Sequence, residues 1–195
     1  GFWHADFPVT YVRRFFERFG RHVAACMESL AWFYARWAYH DYRGIMVSSC
    51  VVMARMIRRG LDRLYWVPLG VDTQLFHPEK RDERLIAELK AGNAERLTIF
   101  FPHRLTEEKG VVTLVHAYPT LCEKLGVEPA IVFAGRGNYQ PLVEASARQY
   151  PHIRYVGFIE SPEEVARWMA SCELGLALSA WETFGLAILE AMSAG

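Results

Sequence analysis

Residues 179–195 read Ser-Ala-Trp-Glu-Thr-Phe-Gly-Leu-Ala-Ile-Leu-Glu-Ala-Met-Ser-Ala-Gly. Just before them runs Leu174-Gly-Leu-Ala-Leu178, an apolar segment short and bounded enough to be a buried strand. After the turn, Leu186, Ile188, Leu189 and Met192 fall at the spacing of a helix face. The stretch is therefore strand, loop, helix. Thr183 is a candidate N-cap, which would turn the backbone amides of Phe184, Gly185 and Leu186 out of the helix's positive end, where anionic groups bind readily. Gly185 lets that backbone come close to a ligand.

Two carboxylates bracket the turn, Glu182 in the loop and Glu190 eight positions on, inside the helix. Carboxylates accept hydrogen bonds from hydroxyls, so a phosphate-receptive turn flanked by two of them suits a ligand with sugar at both ends and phosphate in the middle. That describes a nucleotide-sugar. The competing reading makes Glu190 an exposed helix residue and Glu182 a solvated loop residue.

Working outward, the same alternation repeats. Leu97–Phe101, Ile131–Ala134 and Ile153–Val156 are strand-like, and helical stretches at 110–125, 139–149 and 162–171 separate them, after a charged helix at about 82–90. Such alternation implies right-handed crossovers and a parallel doubly wound sheet, with ligands beyond the strands' C-terminal ends. Further back, Gly44–Val47 and Leu64–Val67 are short strands, with a helix between them capped by Ser48 and ending at Arg59-Gly60. Tyr11 to about His40 reads as one helix, basic at Arg13, Arg14, Arg18 and Arg21, then aromatic at Trp32, Phe33, Tyr34, Trp37 and Tyr39. The expected role is packing in the first domain's core, with peripheral membrane contact as the alternative.

The chain has 195 residues, 52% hydrophobic and 23% charged, which fits a globular protein of one domain or parts of two. Its apolar runs are interrupted by charge well short of the 18 or so residues of a membrane span. Net charge is zero but uneven: residues 1–65 carry ten Lys and Arg against five Asp and Glu, and residues 66–195 carry twelve against seventeen. The first part is the face for an anionic acceptor or membrane surface, and no nucleic-acid partner is expected. Cys26, Cys50, Cys122 and Cys172 lack the paired spacing of zinc or redox sites, so reduced and mostly buried thiols in a cytoplasmic protein are expected.

The segment Glu182–Gly195 resembles the E-x7-E signature, E-x-F-G-x-x-x-x-E-A-M-A-x-G, of the retaining glycosyltransferases of family 4 (glycosyl transferases group 1), with Ser193 where Ala is usual. Other segments resemble the family's remaining motifs in order. His4-Ala-Asp6-Phe-Pro8 is similar to H-x-D-F-P, whose histidine approaches the transferred sugar. Pro68-Leu-Gly-Val-Asp72 through Phe76-His-Pro78 is similar to the interdomain linker. Arg104-Leu-Thr-Glu-Glu-Lys109-Gly110 is similar to G-R-L-x-x-x-K-G, with His103 in place of the glycine. Gly135-Arg-Gly137-Asn looks like the turn facing the nucleotide, and Gly157-Phe158 is similar to the base-pocket segment.

The resemblance implies an α/β fold of two Rossmann domains, the GT-B type. Residues 1–65 would be the C-terminal part of the acceptor-side domain, 66–80 the linker and 81–195 the nucleotide-sugar-binding domain. The chain would be an internal fragment truncated at both ends, weak in donor binding and nearly inactive alone. It implies transfer of a hexose from a UDP- or GDP-hexose to a glycan or lipid hydroxyl with retention, without a tightly bound metal. Arg104, Lys109, Glu182 and His4 are the expected catalytic group. Gly135, Gly137, Thr183, Phe184, Gly185, Leu186 and Glu190 are the expected donor contacts. A non-catalytic nucleotide-sugar-binding or scaffold protein and a nucleotide-sugar epimerase remain alternatives on the same fold.

Overall fold

A computed structural model describes every residue except Ala180, Trp181 and Thr183. The chain divides into two compact units, one of Gly1–Gly70 with Trp181–Phe184, the other of Val71–Ala180 with Gly185–Gly195.

In the first unit, β1 (Phe2–Trp3) leads to a π-helical turn at Pro8–Arg13, a short α1 (Arg14–Glu17) and a long α2 (Arg21–Tyr39). The single helix expected from Tyr11 to His40 is thus broken, because Gly20 sits at φ 108° between α1 and α2, outside any helical conformation. Then come β2 (Ile45–Val47), α3 (Cys50–Arg58) and β3 (Leu64–Trp66), and the three strands form a parallel sheet in the order β1-β2-β3. The cap of α3 is Ser49, not Ser48. The Ser49 hydroxyl accepts from the Val52 amide at 3.5 Å, whereas Ser48 is buried and its carbonyl accepts from Trp66 Nε1. Trp3, Trp32, Val47, Val52 and Met56 form the core.

The second unit holds α4 (Glu83–Lys90), β4 (Thr98–Pro102), α5 (Val111–Leu125), β5 (Ala130–Ala134), α6 (Gln140–Gln149), β6 (Ile153–Tyr155), α7 (Pro162–Ser171), β7 (Leu174–Gly175) and α8 (Leu186–Ala194). Its sheet is parallel in the order β6-β5-β4-β7. Strand alternation sorts the core: Phe100 and Val132 face α7 with Trp168 and Met169, while Ile99, Phe101, Ile131 and Phe133 face α5 and α6 with Leu114, Tyr118 and Val143. Helices therefore cover both faces. The strand direction reverses its walk across the sheet beside β4, whose neighbours are β5 and β7, and such a switch point opens a crevice beyond the strand ends.

Two further expectations are corrected. The run from Leu174 to Leu178 is a strand only at Leu174–Gly175. Leu174 is 45% exposed; among the described residues β7 pairs only with β4, at the edge of the sheet. The cysteines are not mostly buried: Cys26 and Cys50 are exposed, Cys122 is half-buried and only Cys172 is buried, which pushes its thiol up to about 12. No helix among the described residues is long and apolar enough to cross a membrane.

Candidate functional site

The loops that follow β4 and β5 are locked together through Leu105. This fully buried side chain carries an amide that donates to the Arg136 carbonyl at 2.9 Å and a carbonyl that accepts from the Tyr139 amide at 3.0 Å. Contact that close leaves no room for side chains. A Cβ on Gly135, at φ 138°, would sit 2.1 Å from the His103 carbonyl oxygen, and one on Gly137 would sit 2.3 Å from that of Leu105. The two glycines of Gly135-Arg-Gly137 are therefore required by backbone packing against the cation-bearing loop. Gly135 is tied further: its amide donates to the Gly157 carbonyl at 2.7 Å and its carbonyl accepts from the Tyr155 hydroxyl at 2.9 Å.

His103, which stands where the family pattern has glycine, is buried with its ring edge-on to Phe101. Its Nε2 is 2.9 Å from the Leu176 carbonyl, so the imidazole ties the end of β4 to the segment leaving β7. Gly110 closes the same corner, since a Cβ there would lie 2.6 Å from Leu178 Cβ.

A cavity of about 480 Å³ opens beyond these strand ends. Arg104 and Arg136 come to it from the two loops, Phe158 and Ile159 from the loop after β6, Val165 and Met169 from α7, and Glu190 from α8. One wall is cationic, one apolar, and one carries a carboxylate. Burial pushes the Glu190 carboxyl up from its ordinary value of 4.5. Arg136 lies over the Phe158 ring, 5.1 Å from its centroid. Arg104 is exposed and 3.4 Å from Glu108, four residues on.

Of the residues singled out from sequence, Arg104, Gly135, Phe158 and Glu190 line this cavity. Gly137 packs against the Leu105 backbone instead. Lys109 is half-buried in the 3₁₀ turn before α5 and does not line the cavity. Helix α8 starts at Leu186 with Gly185 as its N-cap at φ 84°. Thr183, the expected cap, lies outside the described residues. Glu182 is exposed and belongs with Phe184 to the first unit. His4 lines a separate cavity of about 260 Å³ in the first unit, beside Phe2 and Trp3, while neighbouring Asp6 is buried and ion-paired with Arg55.

The sequence reading missed Arg136 as a side chain, having weighed only its flanking glycines, and missed the apolar pair Val165 and Met169. The helical spacing of the latter pair carried no signal to separate a pocket wall from core. The one departure in the Glu182–Gly195 signature has a local reason. The Ser193 hydroxyl donates to the Phe76 carbonyl at 2.6 Å, joining α8 to the Asp72–Pro78 stretch.

Among curated relatives, the GDP-mannose-dependent alpha-(1-6)-phosphatidylinositol dimannoside mannosyltransferase of Mycobacterium tuberculosis is 31% identical over 202 residues, covering 100% of this chain and 51% of the relative. The sulfoquinovosyl transferase SQD2 of Arabidopsis thaliana is 30% identical over 126 residues, covering 65% of this chain and 23% of the relative. The chain thus spans about half the length, or less, of the relatives it matches. The Anabaena protein HepE, solved with UDP and glucose, aligns at a TM-score of 0.65 and 21% identity over 85% of this chain and 46% of that one. That likeness carries the fold, which is the α/β GT-B type. The family model described as glycosyl transferases group 1 matches residues 82–195, and the chain belongs to that family.

Proposed function

We propose that this chain forms the donor-binding part of a retaining glycosyltransferase, one that moves a hexose from a nucleotide-sugar to a hydroxyl of a glycan or lipid acceptor. The observation that carries this reading is the cavity that joins Arg104, Arg136, an apolar wall and Glu190. In it, Phe158, Ile159, Val165 and Met169 take the nucleobase and Glu190 accepts from the ribose hydroxyls. Arg104 forks onto the diphosphate. Lys109 and the amides at Phe184, Gly185 and Leu186 add to the charge stabilisation as the glycosidic bond breaks and the diphosphate gains charge. Glu182 and His4 are the residues this reading assigns to the transferred sugar. These cations stand in for a resident metal ion. GDP-mannose is the first donor to test, because the mycobacterial relative is named for it; a UDP-hexose is the second, because HepE was solved with UDP and glucose. The basic first unit fits a protein that works at the cytoplasmic face of a membrane.

Calorimetry with GDP, UDP, GDP-mannose and UDP-glucose tests the site, with Glu190→Ala and Lys109→Ala as controls. Binding of one nucleotide, lost in both variants, is the expected result. Binding that survives both would sink the residue assignment. An acceptor-dependent product whose anomeric configuration matches the donor's, formed equally in the presence of a chelator, would support retention and metal independence. Turnover of donor without any acceptor would point instead to an epimerase, and donor binding without turnover by the whole protein to a scaffold.

A further inference from the structure

We infer that Arg136 selects the base of the nucleotide, favouring an oxopurine such as guanine over uracil and adenine. The inference deepens the donor reading and rests on it. Its ground is the place and the freedom of one guanidinium. Arg136 is exposed, and among the described residues no carboxylate pairs with it. What holds its guanidinium is the Phe158 ring, 5.1 Å from carbon to centroid. Arg104, by contrast, has an acid beside it, Glu108 at 3.4 Å.

The sheet order puts Arg136 at the base end of the cavity. Along β7-β4-β5-β6, Arg104 follows β4, Arg136 follows β5, and Phe158 and Ile159 follow β6. Arg136 thus stands between the arginine assigned to the diphosphate and the apolar wall assigned to the base. Its frame is rigid. Arg136 and Phe158 each follow a glycine, and the Gly135 amide donates to the Gly157 carbonyl at 2.7 Å, while the Arg136 carbonyl accepts from the Leu105 amide at 2.9 Å. A side chain presented from so fixed a backbone, and already resting on a ring, gives up little freedom when a ligand arrives.

Chemistry then chooses the base. The apolar wall and Phe158 offer a surface to the flat of any base, and stacking is largely indifferent to which base it is. Selection therefore falls to the edge. A guanidinium has parallel N–H donors and no acceptor. Guanine presents two neighbouring acceptors, O6 and N7, whereas adenine sets an amino donor beside N7 and a pyrimidine such as uracil offers O4 alone. The competing assignment gives the fork of Arg136 to the diphosphate, and it predicts an equal loss with every nucleotide when Arg136 is removed.

The test is calorimetry on the 195-residue chain with GDP, inosine diphosphate, UDP, ADP and a GDP analogue whose N7 is replaced by carbon. GDP and inosine diphosphate, which share O6 and N7, are expected to bind about 5- to 150-fold more tightly than UDP and ADP, the range a bidentate contact of this kind discriminates. The analogue without N7 should lose most of that advantage with no change in the protein. Arg136→Gln should bring GDP down to the level of UDP and leave UDP unchanged. Arg136→Lys keeps the charge but not the fork, and should not restore the preference. A guanine preference that survives Arg136→Gln, an equal loss with all nucleotides, or full affinity for the analogue would overturn the assignment to Arg136 and leave the donor reading standing. No nucleotide binding, or binding that Glu190→Ala does not weaken, would overturn the donor reading and this inference with it.

Discussion

Replacing Gly135 by alanine tests the interlocked loops directly. The added methyl carbon would sit 2.1 Å from the His103 carbonyl oxygen, whereas nonbonded atoms rest about 3.5 Å apart. Main chain on one side or the other must therefore move by more than 1 Å, on the order of the difference between those distances. Moving it disturbs the bonds of Gly135 N–H to Gly157 and of Leu105 N–H to Arg136. Overpacking costs roughly 1–3 kcal/mol, and the φ of 138° adds about 1–2 kcal/mol for a residue with a Cβ.

The expected loss is about 3 kcal/mol or more, seen as a fall of some 10 °C in Tm, with an unchanged urea m-value. Two companions separate the causes. Gly157→Ala has φ 78° and nothing within 4 Å of its new Cβ, so it should lose only about 1–2 kcal/mol. Gly137→Ala meets the Leu105 carbonyl oxygen at 2.3 Å and should approach Gly135→Ala. Urea and thermal unfolding followed by circular dichroism give all three values. A Gly135→Ala protein no less stable than Gly157→Ala would refute the interlock.

Four other outcomes are expected. Because burial raises the Glu190 carboxyl above 4.5, its ionised form opposes folding: the penalty is absent below the ordinary carboxylate range and grows as pH rises through it. Glu190→Gln should therefore be more stable than the parent at neutral pH and equal to it at low pH, and a pH series of melts that shows no such convergence would contradict this. If the ionised form holds the ribose, nucleotide affinity measured by calorimetry should fall with a midpoint above 4.5 as pH is lowered, and Glu190→Gln should flatten that profile. Ser193→Ala removes the bond to the Phe76 carbonyl and should cost about 1 kcal/mol in urea unfolding; an unchanged midpoint would show that the bond contributes nothing. Glu108→Ala releases Arg104 from its 3.4 Å ion pair, an exposed type worth about 0.2–1 kcal/mol. Nucleotide should then bind up to about fivefold more tightly by calorimetry, and weaker binding would mean that Glu108 supports the loop instead.

The parallel sheet of the second unit was legible because Thr98–Pro102 and Ala130–Ala134 are continuous apolar runs buried on both sides, and each is followed by an amphipathic helix. Periodicity did less well where it had to say which face meets the core. The aromatic stripe of α2 reads as a core face, yet small alanines with Trp32 occupy the core and the larger rings point out. Hydrophobicity orders the two faces of a helix only when one of them is polar, and here both are apolar. Leu174–Leu178 was misjudged for a related reason. An apolar run shows strand character, while exposure depends on whether a neighbour pairs with it on each side. Among the site residues, Arg104 and Glu190 were legible from their place after a strand and within a helix. Arg136, Val165 and Met169 were not, since only the folded chain brings the ends of four segments to one cavity.

Leu105, held by a hydrogen bond on either side, also sets a rule for variation. The loops after β4 and β5 keep register with each other as two strands do, so a residue inserted into one would have to be answered in the other. Loop length is thereby constrained as a route to reshaping the cavity. On the donor reading proposed above, any change in the ligand taken would then fall to the side chains lining the cavity, such as those of Arg136 and Phe158.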